Sequence, residues 1–200
     1  MKISSQRYED IKVTIADIYE DYNVQDLPID IFGLAKIMNC KIVKSSVLLS
    51  NNIKKTDDYL FSKYPSSFLY YDSIKQQFMI YLDDVEDKRQ RQRFSLAHEI
   101  THIVLEHDSQ NDINEAEANF GASYLLAPTS LILIPPFKNI LLNPEKVAKI
   151  FDISKPAAEI VVKYNNQRIT SGSPKEKDYE KRINNLLKWA LNDRINDLRL

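Results

Sequence analysis

At 200 residues with 44% hydrophobic content, the chain can bury one sizeable core, with or without a small appendage. Its net charge of −1 supplies no field to recruit nucleic acid or an anionic membrane. The single cysteine, Cys40, rules out an internal disulfide, and no apolar run approaches the ~20 residues that span a bilayer.

Helical spacing opens the chain, with Tyr8, Ile11, Ile15, Ile18, Tyr19 and Tyr22 recurring along residues 7–22. Pro28 and Asp30 precede a second short helix, Ile31 to Met38, and Lys41-Ile-Val-Lys44 reads as a strand. Residues 50–65 are polar and tyrosine-bearing without periodicity, and are expected to form a mobile loop or an insertion. Phe68 to Tyr71 and Gln77 to Leu82 are β-rich runs separated by a polar turn, which predicts a hairpin. The tyrosines at 59, 64, 70, 71 and 81 read as a sheet surface. Asp83 and Glu86 have capping-box spacing and predict the start of the next helix.

That helix carries the chemistry. All three histidines fall within ten residues, and two of them frame His98-Glu99-Ile100-Thr101-His102. Residues four apart on a helix sit about 40° from one another, so both imidazoles can grip one ion. Glu99, rotated about 100° from His98, is placed to take a proton from a water at the ion without binding the ion itself. From Phe94 to Leu105 the segment is apolar around most of a helical wheel, which marks a helix buried inside a domain. Ser95, His98, Glu99 and His102 share roughly one third of that wheel, and such a buried polar stripe needs a cleft or a metal to offset its desolvation. Two core histidines bonded to neighbours would be the plain alternative, but they give no reason for a glutamate in register.

A zinc site takes three protein ligands and keeps a fourth position open. His107 would lie about 180° from His98 on a continuing helix, and is read as a surface or helix-end residue. It also misses the HExxHxxGxxH spacing, since position 105 is Leu and position 108 is Asp. Better candidates lie in residues 114–119, which open a second helical pattern (Ala116, Phe120, Ser123, Tyr124, Ala127) ending at Pro128. Glu115 and Asn119 share a face, so one can bind zinc while the other bonds the free ring nitrogen of a ligand histidine. Glu117 points about 200° from Glu115, so only one of these glutamates can face the metal. An acidic helix start complementing the macrodipole would explain either glutamate alone, but not the Glu115–Asn119 pair. A zinc peptidase also needs a group to stabilise the oxyanion. No histidine follows His107, which leaves Tyr70, Tyr81 or Tyr124, an arginine or a backbone amide.

The stretches RQRFSLAHEITHIVLEH (91–107) and NEAEANFGASYLLAP (114–128) resemble the ImmA/IrrE-type metallopeptidases, zinc proteases of the gluzincin kind. The family pattern R-x-x-F-[ST]-x-A-H-E-x-x-H is met by Arg91, Phe94, Ser95, Ala97, His98, Glu99 and His102. Its second part, E-x-E-A-N-x-F-A-x-x-L-L-x-P, is met by Glu115, Glu117, Ala118, Asn119, Ala122, Leu125, Leu126 and Pro128. Thr101 stands where that family usually has Gly, and Gly121 where it usually has Phe. The resemblance implies His98, His102 and Glu115 as zinc ligands, with Glu117 as the alternative third ligand, and Glu99 as general base. The protein partner it implies is a helix-turn-helix repressor of a phage, a mobile element or a stress response.

Downstream, Val147, Ala148, Ile150 and Phe151 form a short helix, and Asp152-Ile153-Ser154 a turn. Ser154 is the N-cap of the next helix, with Pro156 early in it, then Ile160, Val161 and Tyr164. The pair is helix-turn-helix-like, but its second helix offers only Lys155 and Glu159 near its start, and no Arg, Asn or Gln for base edges. A structural hairpin is favoured, and direct nucleic-acid binding is not expected. Beyond Gly172-Ser173-Pro174, a charged helix carries an apolar stripe from Tyr179 to Leu198.

These readings predict an α+β fold. Residues 1–130 would form a zincin-like core with a small antiparallel sheet and two motif helices, 131–172 a helix-turn-helix-like hairpin, and 173–200 an amphipathic helix. The predicted activity is a Zn2+-dependent endopeptidase whose substrate lies extended along Gln77–Leu82. The competing reading is a non-catalytic zincin-like regulator that binds a repressor, an antitoxin or DNA; it gives Glu99 no chemical task. The amino terminus lacks a signal peptide's apolar core, so a soluble cytoplasmic protein with no membrane partner is expected.

Overall fold

The first helix, α1 (Ser5–Asp21), starts where Ser4 accepts a hydrogen bond from the Arg7 amide at 3.1 Å. Ile11, Ile15, Ile18 and Tyr19 form its buried face. The computed structural model describes residues 3–50, 66–85, 88–109, 111–171 and 175–199. Of the loop expected over 50–65, residues 51–65, with Tyr59 and Tyr64, lie outside the described residues, as do Glu86 and Gly172-Ser173-Pro174. Asp30 caps α2 (Ile31–Ile37) through the Gly33 amide at 3.0 Å. Then come β1 (Lys41–Lys44) and a short helix, α3 (Ser45–Ser50), which has no periodic signal of its own.

β2 (Ser67–Asp72) and β3 (Gln77–Leu82) pair antiparallel with Phe68 opposite Tyr81, the hairpin that their composition predicts. β1 pairs parallel with β3, so the sheet order is β1-β3-β2 and the sheet is mixed rather than antiparallel. The hairpin claims one edge of β3, and β1 runs along the other in the same direction. Gln77–Leu82 is therefore the central strand, with both backbone edges occupied, and it offers no edge to an extended substrate. Among the described strands, β1 and β2 form the two edges of the sheet.

The motif helix α4 (Arg89–Val104) begins after Lys88 without a side-chain cap. Asp83 is not its cap: the carboxylate accepts from the Ser45 hydroxyl and from the Val85 amide, each at 3.0 Å. Buried Arg93 donates to the carbonyls of Ile29 at 2.9 Å and Phe151 at 3.4 Å, tying α4 to two distant segments.

Asn111 caps α5 (Asp112–Leu126) by accepting from the Ile113 and Asn114 amides. α5 lies along α4 through Leu96, Ala97 and Ile100 on one side and Ala118, Ala122 and Leu125 on the other, all fully buried. A Cβ placed on Gly121 would collide with the Thr101 methyl group. The two departures from the pattern that this chain resembles are thus partners in space: Thr101 fills what Gly121 leaves.

Two 3-10 turns (Thr129–Leu133 and Pro135–Phe137) lead to α6 (Pro144–Phe151) and α7 (Lys155–Thr170). Asp152 ends α6 in the left-handed region at φ 50°, and Ser154 caps α7 through the Ala157 amide at 3.4 Å. α8 (Asp178–Asp197) returns along α1. Its fully buried Glu180 takes both ends of the Arg168 fork at 2.6 and 2.7 Å, which meets the pairing requirement of a buried charge. One apolar cluster runs from Ile11 and Ile15 through Ile100 and Leu125 to Leu187 and Leu191. Among the described residues, no helix is long and apolar enough to cross a membrane.

Candidate metal centre

α4 brings His98 and His102 onto one face, and their Nε2 atoms lie 3.0 Å apart. α5 crosses there and presents Glu115, with one carboxylate oxygen 3.3 Å from His98 Nε2 and the other 3.5 Å from His102 Nε2. Two imidazole lone pairs and a carboxylate thus converge on one point. Metal–donor distances of about 2.0–2.2 Å give a tetrahedral donor set edges of roughly 3.3–3.6 Å; both Glu115 spacings fall in that range, and the 3.0 Å between the imidazoles is slightly shorter. Among the described residues, these are the side chains that could hold a metal as a group of three.

Burial pushes the His98 and His102 imidazoles down to about 4. Both are therefore neutral at ordinary pH, the form in which imidazole ligates a metal. Glu99 is buried in the floor of the same cleft. Burial pushes its carboxyl up to about 7; the Ser67 hydroxyl, donating to Oε1 at 2.7 Å, opposes this, and the charge of Glu115 adds to it. A carboxyl poised there can take and return a proton near neutral pH. The cleft has a volume of about 540 Å³ and is lined by the Ser67–Leu69 stretch of β2, by His98, Glu99, His102 and Glu115, and by residues at the α4–α5 turn.

The Asn119 side chain acts on His98 and favours the charged ring, but buried His98 Nδ1 has no hydrogen-bond partner, so the expected bond behind the ring is not seen. Tyr70, Tyr81 and Tyr124 do not line the cleft. Tyr70 is exposed on β2, and Tyr81 stacks on Phe68 with ring centroids 4.3 Å apart. Tyr124 is buried beside Lys12 and Ser130, on the side of α5 that meets α1. Alternation along a strand and the helical wheel turn all three away from the histidines.

His107 sits at the helix end, one of its two expected places, but its side chain is not on the surface. α4 does not continue past Val104: Glu106 adopts φ 54°, the Glu106 amide donates to Ile103 at 3.1 Å, and the His107 amide donates to His102 at 3.0 Å. This reversal is a Schellman turn, and it folds His107 back under the helix end. Its side chain is only 5% exposed. His107 Nδ1 lies 2.9 Å from His102 Nδ1, and its Nε2 lies 3.1 Å from Glu117 Oε2. Glu117, on the opposite side of α5 from Glu115, also accepts from Arg7 of α1, at 2.9 Å from Nε and 2.6 Å from Nη2. The Arg7 hydrogen bonds hold the Glu117 carboxyl below its usual range, against the effect of burial. Glu117 therefore does not join the group of three; its oxygens are taken.

A model of the peptidase M78 family, described as the IrrE N-terminal-like domain, matches residues 38–163. The chain belongs to this family. The M78 match spans β1 to α7 and so contains the whole cleft. No curated protein matches the chain.

Sequence reasoning misses Ser67, His107 and Arg7. A serine at a strand start carries no signal, and Arg7 lies 110 residues from its partner Glu117. A glycine after Leu105 would have marked the end of α4, but Glu106 holds the left-handed position instead.

Proposed function

We propose that this M78 peptidase is a zinc-dependent endopeptidase with a zincin-like core, in which His98, His102 and Glu115 hold the ion and Glu99 is the general base. The observation that carries this reading is the convergence of both Nε2 atoms and the Glu115 carboxylate beside a buried Glu99. When bound, zinc lowers the pKa of water and polarises the scissile carbonyl. Glu99 takes the proton of the attacking water and delivers it to the leaving amine. Ser67 orients the Glu99 carboxyl from β2. A peptide extended along β2 would pass over Phe68 and Leu69 into the cleft, and main-chain pairing would hold it there. The protein substrate is a helix-turn-helix repressor of a phage, a mobile element or a stress response, and its cleavage relieves repression in the cytoplasm.

The test is co-expression with such a repressor, with cleavage read on a gel beside chelator-treated protein and Glu99→Gln. Cleavage by the wild type alone supports the reading. Relief of repression by Glu99→Gln with the repressor left intact would favour a regulator that acts by binding.

A further inference from the structure

His102 has two ring nitrogens and two sets of neighbours. Its Nε2 faces His98 and Glu115, and its Nδ1 faces His107. Nothing at the cleft side requires a histidine to stand behind another histidine. Yet His107 is held there by a helix-ending turn, and its far nitrogen meets a carboxylate already fixed by Arg7.

We propose that His107, Glu117 and Arg7 form a positioning chain that fixes the tautomer and orientation of His102, so that its Nε2 lone pair faces the metal. The inference rests on the metal site proposed above. Its direction follows from counting donors. Arg7 can only donate, so both Glu117 oxygens accept from it. Glu117 as a carboxylate can only accept, so His107 carries its hydrogen on Nε2 and donates to Oε2. His107 Nδ1 is then an acceptor, and the hydrogen between the two rings belongs to His102 Nδ1. That leaves His102 Nε2 bare toward Glu115. The reverse assignment, with His107 donating to His102, would put a hydrogen on His102 Nε2 and aim it into the ligand triangle. The chain joins the start of α1 to the middle of α5 and the end of α4, so the ring is fixed by three elements. Outer partners of ligand histidines commonly do this through a carboxylate or a carbonyl. Here a second imidazole stands between.

The test is zinc affinity, measured by chelator competition on the full chain, together with the melting temperature of metal-free protein. His107→Phe keeps a planar, slightly larger ring and removes both bonds; it is expected to weaken zinc binding by roughly 10- to 100-fold. His107→Gln, whose amide can accept from His102 and donate to Glu117, is expected to restore most of that loss. In zinc-loaded wild type, proton NMR should show a hydrogen-bonded His102 Nδ1–H that disappears in His107→Phe. Should His107→Phe fail to fold, Glu117→Gln keeps the volume, removes the charge and is expected to weaken zinc binding less. A folded His107→Phe (or Glu117→Gln, in its place) with wild-type zinc affinity would overturn the positioning chain and leave the metal site standing. A wild type that binds no zinc would overturn both.

Discussion

Glu115 and Glu117 are separated by one alanine, yet α5 sends them to opposite tasks. Glu115 is 43% exposed at the mouth of the cleft and faces two imidazole nitrogens. Glu117 is 7% exposed, takes three hydrogen bonds from Arg7 and His107, and never reaches the cleft. The same division runs through the histidines. His98 has no well-formed bond at its back, whereas His102 is backed by His107. Residue type therefore does not determine the role here. The rotation of α5 on α4 does, and the contact between Gly121 and Thr101 helps to set that rotation.

The largest expected effect separates chemistry from metal holding. Glu99→Gln should lose about 10²–10⁴-fold in peptide cleavage, because glutamine keeps the shape but cannot accept the proton. Its zinc content and melting temperature should stay near wild type; a variant that loses zinc along with activity would place Glu99 among the ligands.

A second effect tests the unequal backing of the histidines. His98→Ala and His102→Ala should both abolish stoichiometric zinc, because two remaining ligands rarely hold the ion. In metal-free protein they should differ. His102→Ala strips one of two partners from the His107 side chain, which is 5% exposed, and should cost about 1–3 kcal/mol more in urea unfolding than the loss of packing alone. Equal metal-free stabilities would mean that the bond behind His102 contributes nothing.

The helix rotation can be probed through its spacer. Gly121→Ala forces a Cβ into Thr101 and should destabilise the protein by about 1–3 kcal/mol, less whatever alanine gains in helix propensity. Adding Thr101→Gly should return part of that loss, and a double-mutant cycle would read the coupling. Independent effects would show that the two positions do not act as a pair.

The smallest effect concerns the anchorage of α1, which carries Arg7. Burial alone would raise Glu9, but hydrogen bonds from Lys177, Tyr179 and Lys12 outweigh it and hold the carboxyl at about 2. A carboxyl lowered from 4.5 in this way stabilises the fold fully above about pH 4.5, and that contribution fades as pH falls toward 2. Glu9→Gln should therefore lower stability at neutral pH and change little near pH 2, which flattens the acid limb of the stability profile over that window. An unchanged acid limb would remove Glu9 from the α1–α8 anchorage.

What was legible in the sequence is what repeats at short range. The spacing of His98 and His102, the shared face of Glu115 and Asn119, the hairpin and the Ser154 cap all depend on a few adjacent residues, and local periodicity carries them. The parallel pairing of β1 was hidden, because it depends on which edge of β3 the hairpin leaves open. For His107 the helix end is legible but its inward turn is not, because the wheel argument assumes that the helix continues and no glycine announces its end. Arg7 and Ser67 join the site only through tertiary contacts, for which sequence spacing holds no signal. Thr101 and Gly121 were visible as two separate oddities; only their contact shows that they compensate.

The measurement that bears most directly on the site is zinc stoichiometry in Glu115→Ala beside Glu117→Ala, on protein purified without added chelator. The wild type should carry about one zinc per chain, the ratio expected for a single three-ligand site. Glu115→Ala should carry almost none, while Glu117→Ala keeps its zinc and binds it less tightly. Zinc retained in Glu115→Ala and lost in Glu117→Ala would contradict the account, since α5 would then present the other face to the histidines.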